Sequence, residues 1–298
     1  MALGKCEKPV AHATADTRRM TKHLLICLTL FTTLLFAREL PADEQLITRG
    51  QYLASIAGCK RCHSDDDGDD FAGGRAIKSK FGTFYTPNIS SDPMYGIGKW
   101  NLETFDRALT QGLSPEGEHY YPSFPYTSYQ NLNTYDIEAL FTYLQTTTPY
   151  SKPSKEHEIG FPYSLRSMLS VWKWLYLDEG KLAPIPSDND ANNGRYLVYA
   201  VTHCDQCHSP RTKLGGVESE TRLSGGEYKG EGSIAPPILS SLGGLKGWDI
   251  DDLETYLLLG EDPKGDYAGG DMADIVDHLT NYLTNEDLRQ LSEFLLSN

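Results

Sequence analysis

The chain has 298 residues, with 27 Lys and Arg against 41 Asp and Glu, for a formal net charge of −14. That balance disfavours nucleic acid and anionic membrane surfaces, and favours a partner with a basic docking patch met through electrostatic steering, although plain solubility explains the charge equally well. The length suits two domains of ordinary size.

At the N-terminus Arg18, Arg19 and Lys22 precede an uncharged run from Leu24 to Ala37, followed by a polar start at Arg38. This is the pattern of an export signal. The apolar run is 14 residues long, short of the roughly 20 that cross a bilayer as a helix, so cleavage is expected and membrane association follows only if the segment stays uncleaved. Neither Leu35-Phe36-Ala37 nor Leu40-Pro41-Ala42 carries a small residue at the third position before a cut, and a signal read from Met20 needs nothing upstream. Residues 1–42 hold six of the basic and three of the acidic side chains, so the remainder carries 21 basic against 38 acidic groups.

A helix opening at Gly50-Gln51-Tyr52-Leu53 then leads into Cys59-Lys60-Arg61-Cys62-His63, and a second copy of this spacing follows at Cys204-Asp205-Gln206-Cys207-His208. Cys-x-x-Cys-His reads as a site of covalent haem c attachment. Two thiols about one helical turn apart each add to a vinyl group of one porphyrin, and the adjoining imidazole lies beneath the iron as proximal ligand. Of the 6 Cys in the chain, the other two, Cys6 and Cys27, lie within the export segment. The alternative, one zinc ion held by both Cys pairs, suits thiolate chemistry but asks for ligand pairs far apart in sequence. Attachment of haem c outside the cytoplasm points to a periplasm. The acidic run Asp65-Asp66-Asp67-Gly68-Asp69-Asp70 lacks the Gly and Glu positions of a calcium loop and reads as a solvated loop.

Further along, Gly82 to Gly98 is rich in Gly and Pro and reads as a long loop over a cofactor. Trp100 to Gly112 encloses a short helix with Leu102, Phe105 and Leu109 on one face, and a last helix carries Leu132, Asp136, Ile137, Leu140 and Leu144. Between Ser151 and Asn193 lies a linker with a helical middle from Ser164 to Leu177, where Trp172 and Trp174 suit interdomain packing better than a redox relay. The pattern then repeats. Gly194-Arg195-Tyr196-Leu197 leads into Cys204, one residue longer than the first copy; Gly225 to Gly247 reads as loop; Trp248 to Gly260 carries Ile250, Leu253 and Leu257; and Leu283, Asp287, Leu288, Leu291 and Leu295 match the last helix at one constant offset. The organisation is a signal and N-terminal extension over 1–42, a first haem domain over 43–150, a linker over 151–190 and a second haem domain over 191–298. The fold class is mainly α, with two tandem class I cytochrome c-like domains, and strand signals are nearly absent.

Beyond residue 42 the methionines are Met94, Met168 and Met272. Met272, after Gly269-Gly270-Asp271 and before the final helix, is the natural sixth ligand of the second haem, and a His/Met pair raises the reduction potential as a relay requires.

Several motifs together resemble the cytochrome c subunits of membrane-associated alcohol and gluconate dehydrogenases and their shorter dihaem relatives. They are Phe71-Ala72-Gly73-Gly74, Phe81-Gly82-Thr83, Pro87-Asn88-Ile89, Gly96-Ile97-Gly98-Lys99-Trp100, Tyr121-Pro122-Ser123-Phe124-Pro125-Tyr126, Phe161-Pro162-Tyr163, Arg166 and Trp172-Lys173-Trp174. The resemblance implies two haem c groups, His63 and His208 as proximal ligands and Met272 as a distal ligand. It also implies electron transfer from a periplasmic dehydrogenase to a downstream acceptor in the respiratory chain. Where many relatives place the first distal Met, this chain has Phe124. Met94, His119 or Tyr126 then substitutes, or the iron stays five-coordinate. A haem enzyme of peroxidase type, with an open first iron and His119 beside it, is the alternative to a carrier.

Overall fold

The computed structural model describes residues 41–66, 68–178, 181–182, 190–228, 232 and 234–298. The export signal expected within 1–42 lies outside them, apart from Pro41 and Ala42. Among the described residues no helix is long and apolar enough to cross a membrane.

The first helix, α1 (Ala42–Ile56), starts with Asp43 and Glu44, whose charges suit the positive end of the helix dipole, and buries Gly50, Leu53, Ala54 and Ile56 on one face. After Gly58, held at φ 68°, the chain turns into α2 (Cys59–Cys62). Next come α3 (Leu102–Gln111), the short α4 (Tyr126–Tyr129) and α5 (Thr134–Leu144). α1 crosses α5 at Gly50, where a Cβ would stand 2.0 Å from the Ala139 carbonyl oxygen. Only glycine allows that approach.

The second half repeats this geometry. α7 (Asp190–Tyr196) crosses α11 (Asn285–Ser297) at Gly194, where a Cβ would lie 2.1 Å from the Gln290 carbonyl oxygen. Gln290 corresponds to Ala139 at the same offset that relates Leu288 to Ile137. The extra residue before Cys204 is taken up by a π-helical turn, Leu197–Val201. An inserted residue widens one turn in this way without moving what lies on either side.

The middle helices correspond as closely. Asn101 caps α3 by accepting from the Thr104 N–H, Asp249 caps α9 (Ile250–Leu259) in a reciprocal box with Asp252, and both helices end on left-handed glycines, Gly112 and Gly260. The chain then doubles back identically, with the Tyr120 N–H on the Gly112 carbonyl and the Ala268 N–H on the Gly260 carbonyl, each 2.7 Å. The register therefore sets Phe124 in the place held by Met272.

The main departure from expectation is strand. β1 (Ala76–Ser79) and β2 (Gly82–Tyr85) form an antiparallel hairpin, Ala76 opposite Tyr85, and β3 (Glu158–Ile159) of the linker adds to β2. β4 (Gly226–Glu227) pairs β5 (Ile234–Ala235) in the second half. Four-residue strands of mixed polarity leave too short an alternation to read from sequence.

In the linker, helix α6 (Met168–Tyr176) begins four residues later than expected. Its Lys173 ammonium is buried and donates to the carbonyls of Gln111 and Gly112, 2.6 and 2.7 Å away, which places a cation on the negative end of α3. Trp172 packs edge-on against Tyr126 and donates to the Leu214 carbonyl, so it does join the two halves. Trp174 does not; it is 80% exposed.

Asp43–Asn298 forms one compact unit. Its halves exchange equivalent hydrogen bonds: the Tyr52 hydroxyl of α1 donates to Asp287 of α11 at 2.5 Å, and the Tyr196 hydroxyl of α7 donates to Asp136 of α5 at 2.6 Å. Within the halves, Arg49 donates to Asp136 and Asn193 to Asp287, again at equivalent positions. This is the self-complementary contact of a two-fold pair, here within one chain.

Candidate haem sites

α2 and its counterpart α8 (Asp205–His208) each hold the attachment pentapeptide as a single helical turn. Cys59, Cys62, Cys204 and Cys207 form no disulfide among the described residues and are half-buried. Burial pushes the Cys59 thiol up to about 12, with neighbouring Cys62 a smaller cause, and the Cys204 thiol up to about 11.

The imidazoles are set alike. His63 Nδ1 donates to the Pro87 carbonyl and His208 Nδ1 to the Pro236 carbonyl, each at 2.8 Å. A carbonyl only accepts, so the proton sits on Nδ1 and the Nε2 lone pair is left for a metal. Burial lowers the pKa of both rings, which favours the neutral, ligating form.

The loops that follow repeat too. The Gly73 N–H donates to the His63 carbonyl and the Gly225 N–H to that of His208. Ser64 Oγ accepts from the Phe71 N–H and Ser209 Oγ from the Leu223 N–H. Phe71 and Leu223 hold φ of 63° and 62°. In the acidic run after His63, Asp65, Asp66, Asp69 and Asp70 are exposed, with ion pairs from Asp66 to Arg75 and from Asp70 to Lys60.

Met272 and Phe124 are both partly buried against the common core, with Cys59, Cys204, Trp100 and Trp248. Phe124 sits among Tyr120, Tyr126 and Tyr129, with ring centroids 6.1, 6.4 and 5.6 Å away. The first-haem substitutes fare unequally. Met94 is 71% exposed, on a turn whose Met94 and Tyr95 N–H groups donate to Asp92, so its thioether stands in solvent and burial gives it no support as a ligand. Tyr126 is fully buried between Gly112 and Trp172. His119 is half-buried, its carbonyl accepts from Arg166, and its Nδ1 is buried without a hydrogen-bond partner.

Among the described residues no group of three or more His, Cys, Asp or Glu side chains gathers as a metal cage, so one zinc ion shared by both Cys pairs does not fit. The residues do fit haem c twice over: paired thiols on one helical turn, an imidazole whose Nδ1 is engaged so that Nε2 can ligate, and a first attachment Cys packed against the common apolar core. Sequence reasoning missed His203, whose ring lies edge-on to Tyr129 while Nε2 meets the Ala57 carbonyl at 3.3 Å; it joins the approaches to the two motifs. Nothing in a lone His before a Cys signals that role.

These paired sites define a c-type cytochrome with two covalently bound haem groups. The dihaem cytochrome c-type protein of Cereibacter sphaeroides is 39% identical over 259 residues, covering 83% of this chain and 84% of that one. The chain belongs to this dihaem cytochrome c family. The fructose dehydrogenase cytochrome subunit of Gluconobacter japonicus is 35% identical over 262 residues, covering 86% of this chain and 53% of that subunit. The quinone-dependent alcohol dehydrogenase cytochrome c subunit of Gluconobacter oxydans is 35% identical over 266 residues, and the chain spans 55% of it. The chain thus spans about half the length of these dehydrogenase subunits. No protein-family model matches it.

Proposed function

We propose that this cytochrome takes single electrons from a periplasmic dehydrogenase partner, passes them between its two haems, and delivers them to a downstream acceptor of the respiratory chain. The observation that carries the reading is the matched pair of sites, each with its imidazole turned by a proline carbonyl so that Nε2 is left for iron. Haem supplies the one-electron chemistry. The chain supplies attachment through Cys59, Cys62, Cys204 and Cys207, proximal ligation through His63 and His208, and the Met272 thioether, which raises the second potential. The domains run over 43–150 and 191–298, of class I cytochrome c type, joined by 151–190. The acidic surface steers a partner with a basic docking patch.

A second reading, a haem enzyme with an open first site, is favoured by one observation: Phe124 holds the place that Met272 holds in the second half, and a phenyl ring cannot ligate iron. Carbon monoxide titration of the reduced holoprotein separates the two. No binding supports two six-coordinate haems and a pure carrier; binding by half the haem makes the first site a candidate reaction centre; binding by all of it refutes Met272 ligation.

A further inference from the structure

We infer that the distal segment of each haem site is clamped by the attachment turn of the other half, and that Arg61, inside the first attachment pentapeptide, is a positioning residue for the helix that carries Met272 to the second haem. The inference rests on Met272 being that haem's sixth ligand.

Helix α10 (Gly270–His278) carries Met272 on its first turn. One turn or less later, Asp274 forms an ion pair with Arg61, both side chains partly buried at 33% and 17% exposure. Asp274 also faces His278 at 3.5 Å on its own helix. Leu279, at the end of the same helix, is buried against Gly58, where an added Cβ would lie 3.1 Å from its Cδ2. The helix bearing the second sixth ligand is thus seated, by charge and by packing, on Gly58 and Arg61 of the first half.

The reverse contact exists as well. Gln206, at the position in its pentapeptide that Arg61 holds in the first, donates to Ser128 Oγ at 2.8 Å, and Ser128 lies in α4, just after Phe124. Asp205 is within 3.4 Å of the same hydroxyl. Tyr129 of α4 meets His203, which precedes Cys204. In both halves the third residue of the pentapeptide reaches the other half's helix at or just after the Phe124 or Met272 position, by an ion pair on one side and an amide-to-hydroxyl bond on the other, although Asp274 aligns with Tyr126 and not with Ser128.

A partly buried ion pair of this kind can fix where helix α10 sits, because breaking it leaves one charge uncompensated at a packed contact. Its loss should therefore free the thioether from the iron while leaving attachment intact. The holoprotein and its Arg61→Gln, Asp274→Asn, Arg61→Lys and Met272→Ala variants would be compared by haem content, by the far-red thioether-to-iron charge-transfer band, and by redox titration. The expected result is loss of the band in Arg61→Gln and Asp274→Asn, its retention in Arg61→Lys, and its return when the charges are exchanged in the R61D/D274R double variant.

The sign of the potential in Asp274→Asn separates a clamp from simple electrostatics. Removing a negative charge near an iron raises its potential, whereas losing the thioether lowers it. A band that persists in both single variants, with a raised potential in Asp274→Asn, overturns the inference alone. A wild-type spectrum without the band, or one that Met272→Ala leaves unchanged, overturns the ligand assignment and the inference with it.

Discussion

Replacing Gly50 or Gly194 by Ala is the sharpest test of the helix crossings that hold each half together. In a helix that touches nothing at that position, Gly→Ala stabilises by about 0.5–1 kcal/mol through lost backbone freedom in the unfolded chain. Here a Cβ would stand 2.0 Å from Ala139 O and 2.7 Å from Tyr143 Cβ, or, at the second crossing, 2.1 Å from Gln290 O and 2.8 Å from Phe294 Cβ. Ordinary contact begins near 3.4 Å, so the helices must part by more than an ångström and loosen Leu53, Leu140, Leu197 and Leu291 in the shared core. Overpacking of that kind costs about 1–3 kcal/mol or more. Net destabilisation is the expected sign, and each kcal/mol lowers Tm by about 2–4 °C at this size. The assay is thermal unfolding of the holoprotein followed by far-ultraviolet circular dichroism and by the main haem absorption, with Gly160→Ala, where a Cβ meets nothing within 4 Å, as the control. A Tm that rises on Gly50→Ala or Gly194→Ala would refute the crossing geometry.

Three further outcomes are expected. Tyr52→Phe removes one of the reciprocal bonds between halves and should cost about 1–2 kcal/mol in denaturant unfolding at neutral pH. Burial, then the bond to Asp287, pushes the Tyr52 hydroxyl from 10.0 up to about 12; the stability it contributes is whole below pH 10.0 and is lost as pH rises towards 12, so the variant's unfolding free energy should fall less steeply than the wild type's across that window. Met272→Leu keeps bulk but no thioether, and should lower the potential of one haem only while opening that haem to carbon monoxide. Phe124→Met offers the first iron the ligand that the second half provides, and should raise the first potential and suppress any carbon monoxide binding there; no change would mean that Phe124 does not face the iron.

The repeat was legible in the sequence because it is carried by residues whose types are constrained: the pentapeptides, Gly50 and Gly194, Trp100 and Trp248, and the leucine ladder of the last helices. The extra residue before Cys204 was visible as well, but not that a π-helical turn absorbs it, since that depends on both ends being fixed by tertiary contacts. The β1–β2 hairpin was missed because its strands are short and its pairing with β3 is long in sequence. Met94 read as a ligand candidate because sequence shows which thioethers exist and not which way they point; the Asp92 turn exposes it. The exchange between Tyr52, Tyr196 and the two carboxylates was invisible for a related reason: all four lie in repeated segments, but each pair is more than 50 residues apart, and a repeat does not show which half a side chain bonds.

The most direct test of the account is a reductive titration of the purified holoprotein, followed in the visible haem bands with the far-red band recorded alongside. Two electrons per chain, taken up in two resolved one-electron steps, with the far-red band belonging to the higher-potential haem, is the result expected of a carrier with His208 and Met272 on its second iron. Uptake of one electron per chain, or a far-red band absent throughout, would contradict it.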